Sequence, residues 1–148
     1  MRRIHPAALF AMFAMALLAS GCADDKVIPE TALSAISAIS DPAAIGDRIE
    51  IKEVRDRGDY AYIMIFIGSP QGEFTTLDDG LARAQTATLA LAHAIVEIIN
   101  KHDVNKDVRV WAQLPLRDGG VTVLGHAAYE ARNNSFREFE RFTSSAGS

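Results

Sequence analysis

The long amphipathic segment in the middle of the chain is the feature that most constrains its fold. Apolar residues recur there at intervals of three and four positions, at Leu81, Ala84, Leu91, Ile95 and Ile98. Thr75 and Asp78 have the spacing of a capping box, in which a hydroxyl and a carboxylate satisfy backbone N–H groups reciprocally. The pattern therefore predicts a helix from about Thr75 to Asn100, and its broad apolar face is expected to lie flat across a sheet.

Strand patterns flank this helix on both sides. Before it, the alternation from Arg48 to Val54 and the apolar run from Tyr60 to Ile67 predict a hairpin. The second of these strands is apolar on both faces, which favours a central place in the sheet. After the helix, Val108–Leu114 alternates between apolar and other residues, and Val121–Tyr129 predicts a further strand.

The end of the chain carries phenylalanines three positions apart, at Phe136, Phe139 and Phe142. With Ser135 and Glu138 as a capping pair, this spacing predicts a short final helix. The predicted order is β-β-α-β-β-α. The fold class is therefore α+β, a two-layer sandwich with a mostly antiparallel four-stranded sheet covered by one long helix.

The tract from Ala84 to Tyr129 resembles a family of small bacterial domains of unknown function. The shared features are an alanine-rich helix, a strand ending at a proline (Pro115), and a glycine-bearing strand ending in Ala128-Tyr129. The resemblance implies no activity.

The N-terminus has the pattern of a secretory signal. Arg2 and Arg3 form a basic start, and the run from Ala7 to Leu18 is uncharged and apolar. An uncleaved membrane anchor is the alternative, but a spanning helix needs about 20 apolar residues and this run is shorter.

Leu17-Leu18-Ala19-Ser20-Gly21-Cys22 resembles the lipobox of bacterial lipoproteins, with Ala19 where leucine is commonest. The resemblance implies that a diacylglycerol is attached to the Cys22 sulfur and that residues 1–21 are removed. Such proteins carry two or three fatty acyl chains, which suffice for stable membrane anchoring. Ala23 after the cysteine resembles outer-membrane sorting, on the periplasmic side of a Gram-negative envelope.

The mature chain is expected to contain a partly ordered lipidated tether (22–47), an α+β domain (48–142) and a disordered tail (143–148). As a flexible coil, the tether would average about 28 Å from end to end. Leu33, Ile36 and Ile39 recur every third residue, so part of it is alternatively a short helix on the domain.

Composition excludes several classes of function. The chain has a single cysteine, so no intramolecular disulfide can form and the domain depends on its hydrophobic core. Without residues 1–21, 127 residues remain, with 13 basic and 19 acidic side chains and a formal net charge of −6. No run of Lys or Arg remains, so neither nucleic acid nor anionic headgroups are expected partners.

Evidence for an active site or metal centre is sparse. His93 and Glu97 lie one helical turn apart and His102 follows, but a metal site needs about three protein ligands and spacing fixes no third. No Gly-x-Ser-x-Gly turn is present. His126 is expected to share a face with Thr122 and Leu124 as an edge or core residue. We therefore expect no catalytic residues, metal or cofactor.

The candidate interaction surface lies on the strand from Val108 to Leu114. Arg109, Trp111 and Gln113 share one face of it, and Trp and Arg are enriched among residues that dominate interfaces. The alternative is that the tether or the final helix covers this face. The sequence therefore predicts a membrane-anchored, non-enzymatic lipoprotein that presents a protein-binding or structural module to another envelope protein. A small envelope enzyme or metal-binding protein using His93 and Glu97 is the second interpretation.

Overall fold

A five-stranded sheet organises the part of the chain that the computed structural model describes, namely residues 26–40, 48–68, 77–116 and 119–142. The elements in chain order are α1 (Glu30–Ser37), β1 (Arg48–Asp56), β2 (Tyr60–Gly68), α2 (Leu77–Lys101), β3 (Asp107–Pro115), β4 (Val121–Glu130), a 3₁₀ turn (Ala131–Asn133) and β5 (Ser135–Arg141). The strands lie in the order β1-β2-β3-β4-β5. The fold is α+β, with both helices on one face of the sheet.

The hydrophobic core lies between α2 and the sheet. α2 contributes Leu91, Ile95 and Ile99, all with no exposed surface. The alternation in β3 is confirmed, because its four apolar residues, Val108, Val110, Ala112 and Leu114, are buried. The predicted helix runs from Leu77 to Lys101, while its expected cap at Thr75 lies outside the described residues.

The sheet is mixed, so the expectation of four mostly antiparallel strands is only partly correct. β1 and β2 form the predicted antiparallel hairpin, and β3 pairs antiparallel with β4. β2 and β3, however, pair parallel. The physical reason is the crossover through α2, which returns the chain to the end of the sheet where β2 began.

The prediction of a final helix was wrong: Ser135–Arg141 forms β5, antiparallel to β4. A β-bulge places two residues of β5 opposite Ala127, between the pairs Ala128–Arg137 and His126–Glu140. The extra residue brings Phe136 and Phe139 onto the same face, where both contact the core. A spacing of three, typical of a helix, is therefore also the spacing of a bulged strand.

Two residues shape the junction between β4 and β5. Asn134 adopts the left-handed conformation (φ 48°) that closes the connection, and its side chain accepts a hydrogen bond from the Tyr129 hydroxyl at 3.0 Å. Gly125 (φ 154°) lies against β5, where an added Cβ would lie 2.6 Å from the Phe139 ring. Only glycine leaves room for that ring.

A buried ion pair joins the N-terminal segment to the sheet. The Lys106 ammonium lies 2.8 Å from the Asp56 carboxylate, with side chains 5% and 14% exposed. The same carboxylate accepts the backbone N–H of Ile28 at 2.7 Å. Burial raises the pKa of Asp56, but hydrogen bonds from Lys106, Ile28 and Gly58 outweigh it and hold that pKa below its usual value.

The segment preceding β1 contributes to the core. Ile28, Ala32 and Ile36 are buried, and α1 lies against β1 and α2. Part of the segment expected as a tether is therefore the short docked helix. The expected signal, the lipobox with Cys22, the remainder of the tether (23–25 and 41–47) and the tail at 143–148 lie outside the described residues.

Candidate functional site

The face of the sheet opposite the helices carries the candidate site, which we call the open face. Alternation along the strands places three sets of side chains on it: Tyr60, Tyr62, Met64 and Phe66 from β2; Arg109, Trp111 and Gln113 from β3; and His126 and Ala128 from β4. All except the exposed Arg109 are half-buried. No described helix packs on this face.

Rings of the open face are stacked on neighbouring side chains. Trp111 and His126 stack across β3 and β4 with centroids 4.4 Å apart. The Arg109 guanidinium lies 4.6 Å from the centre of the Tyr60 ring, and the Lys52 ammonium 4.5 Å from that of Phe66. Such cross-strand pairs stabilise a sheet and hold large side chains in fixed positions.

The charged groups along the two margins of the open face are neutralised within the chain. At the β1 margin Glu50 pairs with Lys52, and Glu53 with Arg55. At the β5 margin Arg137 pairs with Glu130 and lies 4.0 Å from Glu140. The resulting surface has a centre rich in aromatic side chains, which also carries Arg109, Gln113 and His126, and a charged but balanced rim. Aromatic residues and arginine are enriched at the centres of protein–protein interfaces, and their rims are polar.

A shallow groove of about 310 Å³ runs along β4, with Ala128 at its floor. Arg109 and Trp111 of β3 form one wall, and Arg137 and Glu140 of β5 the other. Burial lowers the pKa of His126, the two arginines lower it further, and Glu140 at 3.7 Å opposes them; the net pKa lies below its usual value. The lowered pKa favours the neutral form of the His126 ring.

The predicted interface residues Arg109, Trp111 and Gln113 do share one face, as expected from the alternation of β3. Sequence reasoning missed the aromatic side chains of β2, although a strand that is apolar on both faces was the available signal. It also misplaced His126. A bulge at Leu124 turns Leu124 into the core and His126 onto the open face.

The residues considered for a metal site have other partners. The His93 ring stacks on Phe136 with centroids 3.6 Å apart, and Glu97 pairs with Lys101 at 2.8 Å. Within the described ranges, no group of three His, Cys, Asp or Glu side chains is placed to hold a metal ion. His102 is exposed in the turn after α2.

Comparison with protein-family models, with curated proteins and with solved structures found no match to this chain. None of the helices in the described ranges is both long enough and apolar enough to cross a membrane.

Proposed function

We propose that this protein is a lipid-anchored, non-enzymatic component of a bacterial envelope that binds protein through the open face of its sheet. The observation that carries the proposal is the half-buried set of aromatic side chains on a face that no described helix covers. Trp, Tyr, Met and Arg are the residues most enriched at interface centres. Leaving so many rings partly in water costs free energy that a partner surface would recover.

The anchor in this proposal is a diacylglycerol on Cys22, supported by the lipobox-like sequence before it. Ile28 is 1% exposed and its N–H is bonded to Asp56, so the folded domain begins within six residues of the anchor. Six residues span at most about 22 Å. The domain would thus be held close to the periplasmic surface of the membrane, and the outer membrane is the proposed location.

The anchor is tested by metabolic labelling with a fatty acid. The native chain should incorporate label, and Cys22→Ser should not, because a serine hydroxyl cannot form the thioether. Label retained by the variant, or absent from the native chain, would contradict the lipoprotein assignment.

The binding face is tested by photo-crosslinking in cells. A photoreactive residue at Gln113, on the open face, should give an adduct of defined mass. The same residue at Gln85, exposed on α2 at the opposite side of the domain, is the matched control and should not. Equal adducts at both positions, or none at Gln113, would exclude the open face as the binding surface.

A further inference from the structure

The open face has a raised side and a recessed side at equal distances from its centre. β3 is the middle strand, with β2 next to it on one side and β4 on the other. β2 presents a ridge of large side chains, Tyr60, Tyr62, Met64 and Phe66, whereas β4 forms the floor of the groove at Ala128. Tyr62 and Ala128 are level, because both pair with Arg109 of β3.

This arrangement is self-complementary under one particular two-fold rotation. A two-fold axis that runs along β3, between two facing sheets, places β2 of each copy over β4 of the other. Each ridge then faces a groove, as an isologous interface requires. A two-fold axis perpendicular to the strands would instead set ridge against ridge. We therefore propose that the partner of the open face is a second copy of this chain, packed sheet to sheet about β3.

Charge supports a second copy over a partner of opposite charge. Among the described side chains on and around the open face, five acidic residues meet five basic ones: Glu50, Glu53, Asp107, Glu130 and Glu140, and Lys52, Arg55, Arg57, Arg109 and Arg137. The whole chain carries a formal charge of −4. Because the open face is neutral, two acidic copies can approach each other there with little repulsion. The same neutrality means that the face has no net charge with which to attract a partner of opposite charge.

The available area is sufficient for a dimer. Five strands about 4.8 Å apart and nine residues long at about 3.3 Å per residue give a face of about 600 Å². Two such faces bury about 1,200 Å² in total, at the lower limit of specific interfaces. Two copies anchored in one membrane would gain effective concentration, and the axis along β3 directs both Ile28 ends to the same side.

The decisive experiment exchanges the sizes of two facing residues, the large Tyr62 of the ridge and the small Ala128 of the groove. Ala128→Phe fills the groove and should raise the dimer dissociation constant at least about tenfold, whereas Ala82→Phe, on the exposed side of α2, should leave it unchanged. Tyr62→Ala lowers the ridge and should also weaken the dimer. In the double variant, the phenyl ring introduced into the groove of one copy would face the shortened ridge of the other. That variant should therefore recover most of the native affinity.

Sedimentation equilibrium of the purified full-length protein and of its Cys22→Ser form, over a wide concentration range, supplies the dissociation constants. The Cys22→Ser form carries no lipid, so a dimer that persists in it does not depend on the acyl chains. Trp111 is the only tryptophan, and its emission should shift to the blue as dimers form, because it lies on β3 at the axis. Thermal melts establish that each variant is folded.

The inference depends on the proposed function of the open face, but the two fail differently. A protein that is monomeric at every concentration, yet crosslinks to a different envelope protein through Gln113, overturns the second-copy proposal and leaves the binding face intact. A dimer that Ala128→Phe and Ala82→Phe affect equally, or that the double variant fails to restore, also overturns it. A monomer without any Gln113 adduct overturns both.

Discussion

The two faces of this sheet differ in how far their side chains are buried. On the helix-covered face, β3 presents Val108, Val110 and Ala112, which are fully buried. On the open face, the same strand presents Arg109, Trp111 and Gln113, which stack or remain half-exposed. Burial on the first face supplies stability, because water is excluded from it. The second face contributes less to folding, and its rings remain accessible to a partner.

The largest expected effect comes from placing a charge on each face. Val110→Asp puts an unpaired carboxylate into the core and should lower the free energy of unfolding by about 4 kcal/mol or leave the protein unfolded. Gln113→Asp, on the open face of the same strand, should change it by less than about 1 kcal/mol. Chemical denaturation measures both. Similar losses in the two variants would show that the open face is not accessible to water.

A second comparison uses two lysines at different depths. Lys106→Ala leaves the Asp56 carboxylate buried without its ammonium partner and should cost about 3 kcal/mol. Lys101→Ala breaks an exposed pair with Glu97 and should cost less than about 0.5 kcal/mol. Urea titrations give both values. If Lys106→Ala were as mild as Lys101→Ala, the ion pair could not be what holds the N-terminal segment to the sheet.

Two phenylalanines near the C-terminus differ in how deeply they are buried. Phe139 contacts the core from β5, whereas Phe142 is 53% exposed just beyond the strand. Phe139→Ala should therefore lower stability by about 2 kcal/mol, less than for a fully buried ring, and Phe142→Ala by less than about 0.5 kcal/mol. Melting temperatures test this difference. Equal losses would contradict β5 and would instead support a final helix, with the rings of Phe136, Phe139 and Phe142 on one side.

The smallest expected effect is the change in stability at low pH that depends on Asp56. The pKa of Asp56 is below its ordinary value of 3.8 because hydrogen bonds from Lys106 and two backbone N–H groups outweigh its burial. A lowered pKa means that the carboxylate stabilises the fold above the unfolded pKa and loses this contribution as pH falls through the folded one. The stability advantage of the native chain over Asp56→Asn should thus be present at pH 7 and shrink below about pH 3.8.

Unfolding at a series of pH values tests this prediction, with Glu50→Gln as the control for an exposed carboxylate. A native-chain advantage that stays constant down to pH 2 would contradict the role given to Asp56.

Local patterns in the sequence accounted for much of the fold. The period of α2, the alternation of β3 and the hairpin of β1 and β2 each depend on residues close in the chain, so they could be predicted. The same alternation placed Arg109, Trp111 and Gln113 together. The second apolar face of β2 could be predicted from its sequence, but its place beside β3, and the turn of His126 onto the same face, depend on a bulge and on which strands become neighbours.

The α+β class, the helix that covers the sheet and the side of β3 that faces the core could be predicted from the sequence, since apolar periodicity is a property of consecutive residues. Three other features are visible only in the folded molecule: β2 and β3 are parallel, Phe136 and Phe139 belong to a strand, and Asp56 joins Ile28 to Lys106. The physical reason is that each of these features depends on residues distant in sequence. The bulge in β5, for example, is stable only because β4 supplies its partners and Gly125 leaves space for the Phe139 ring.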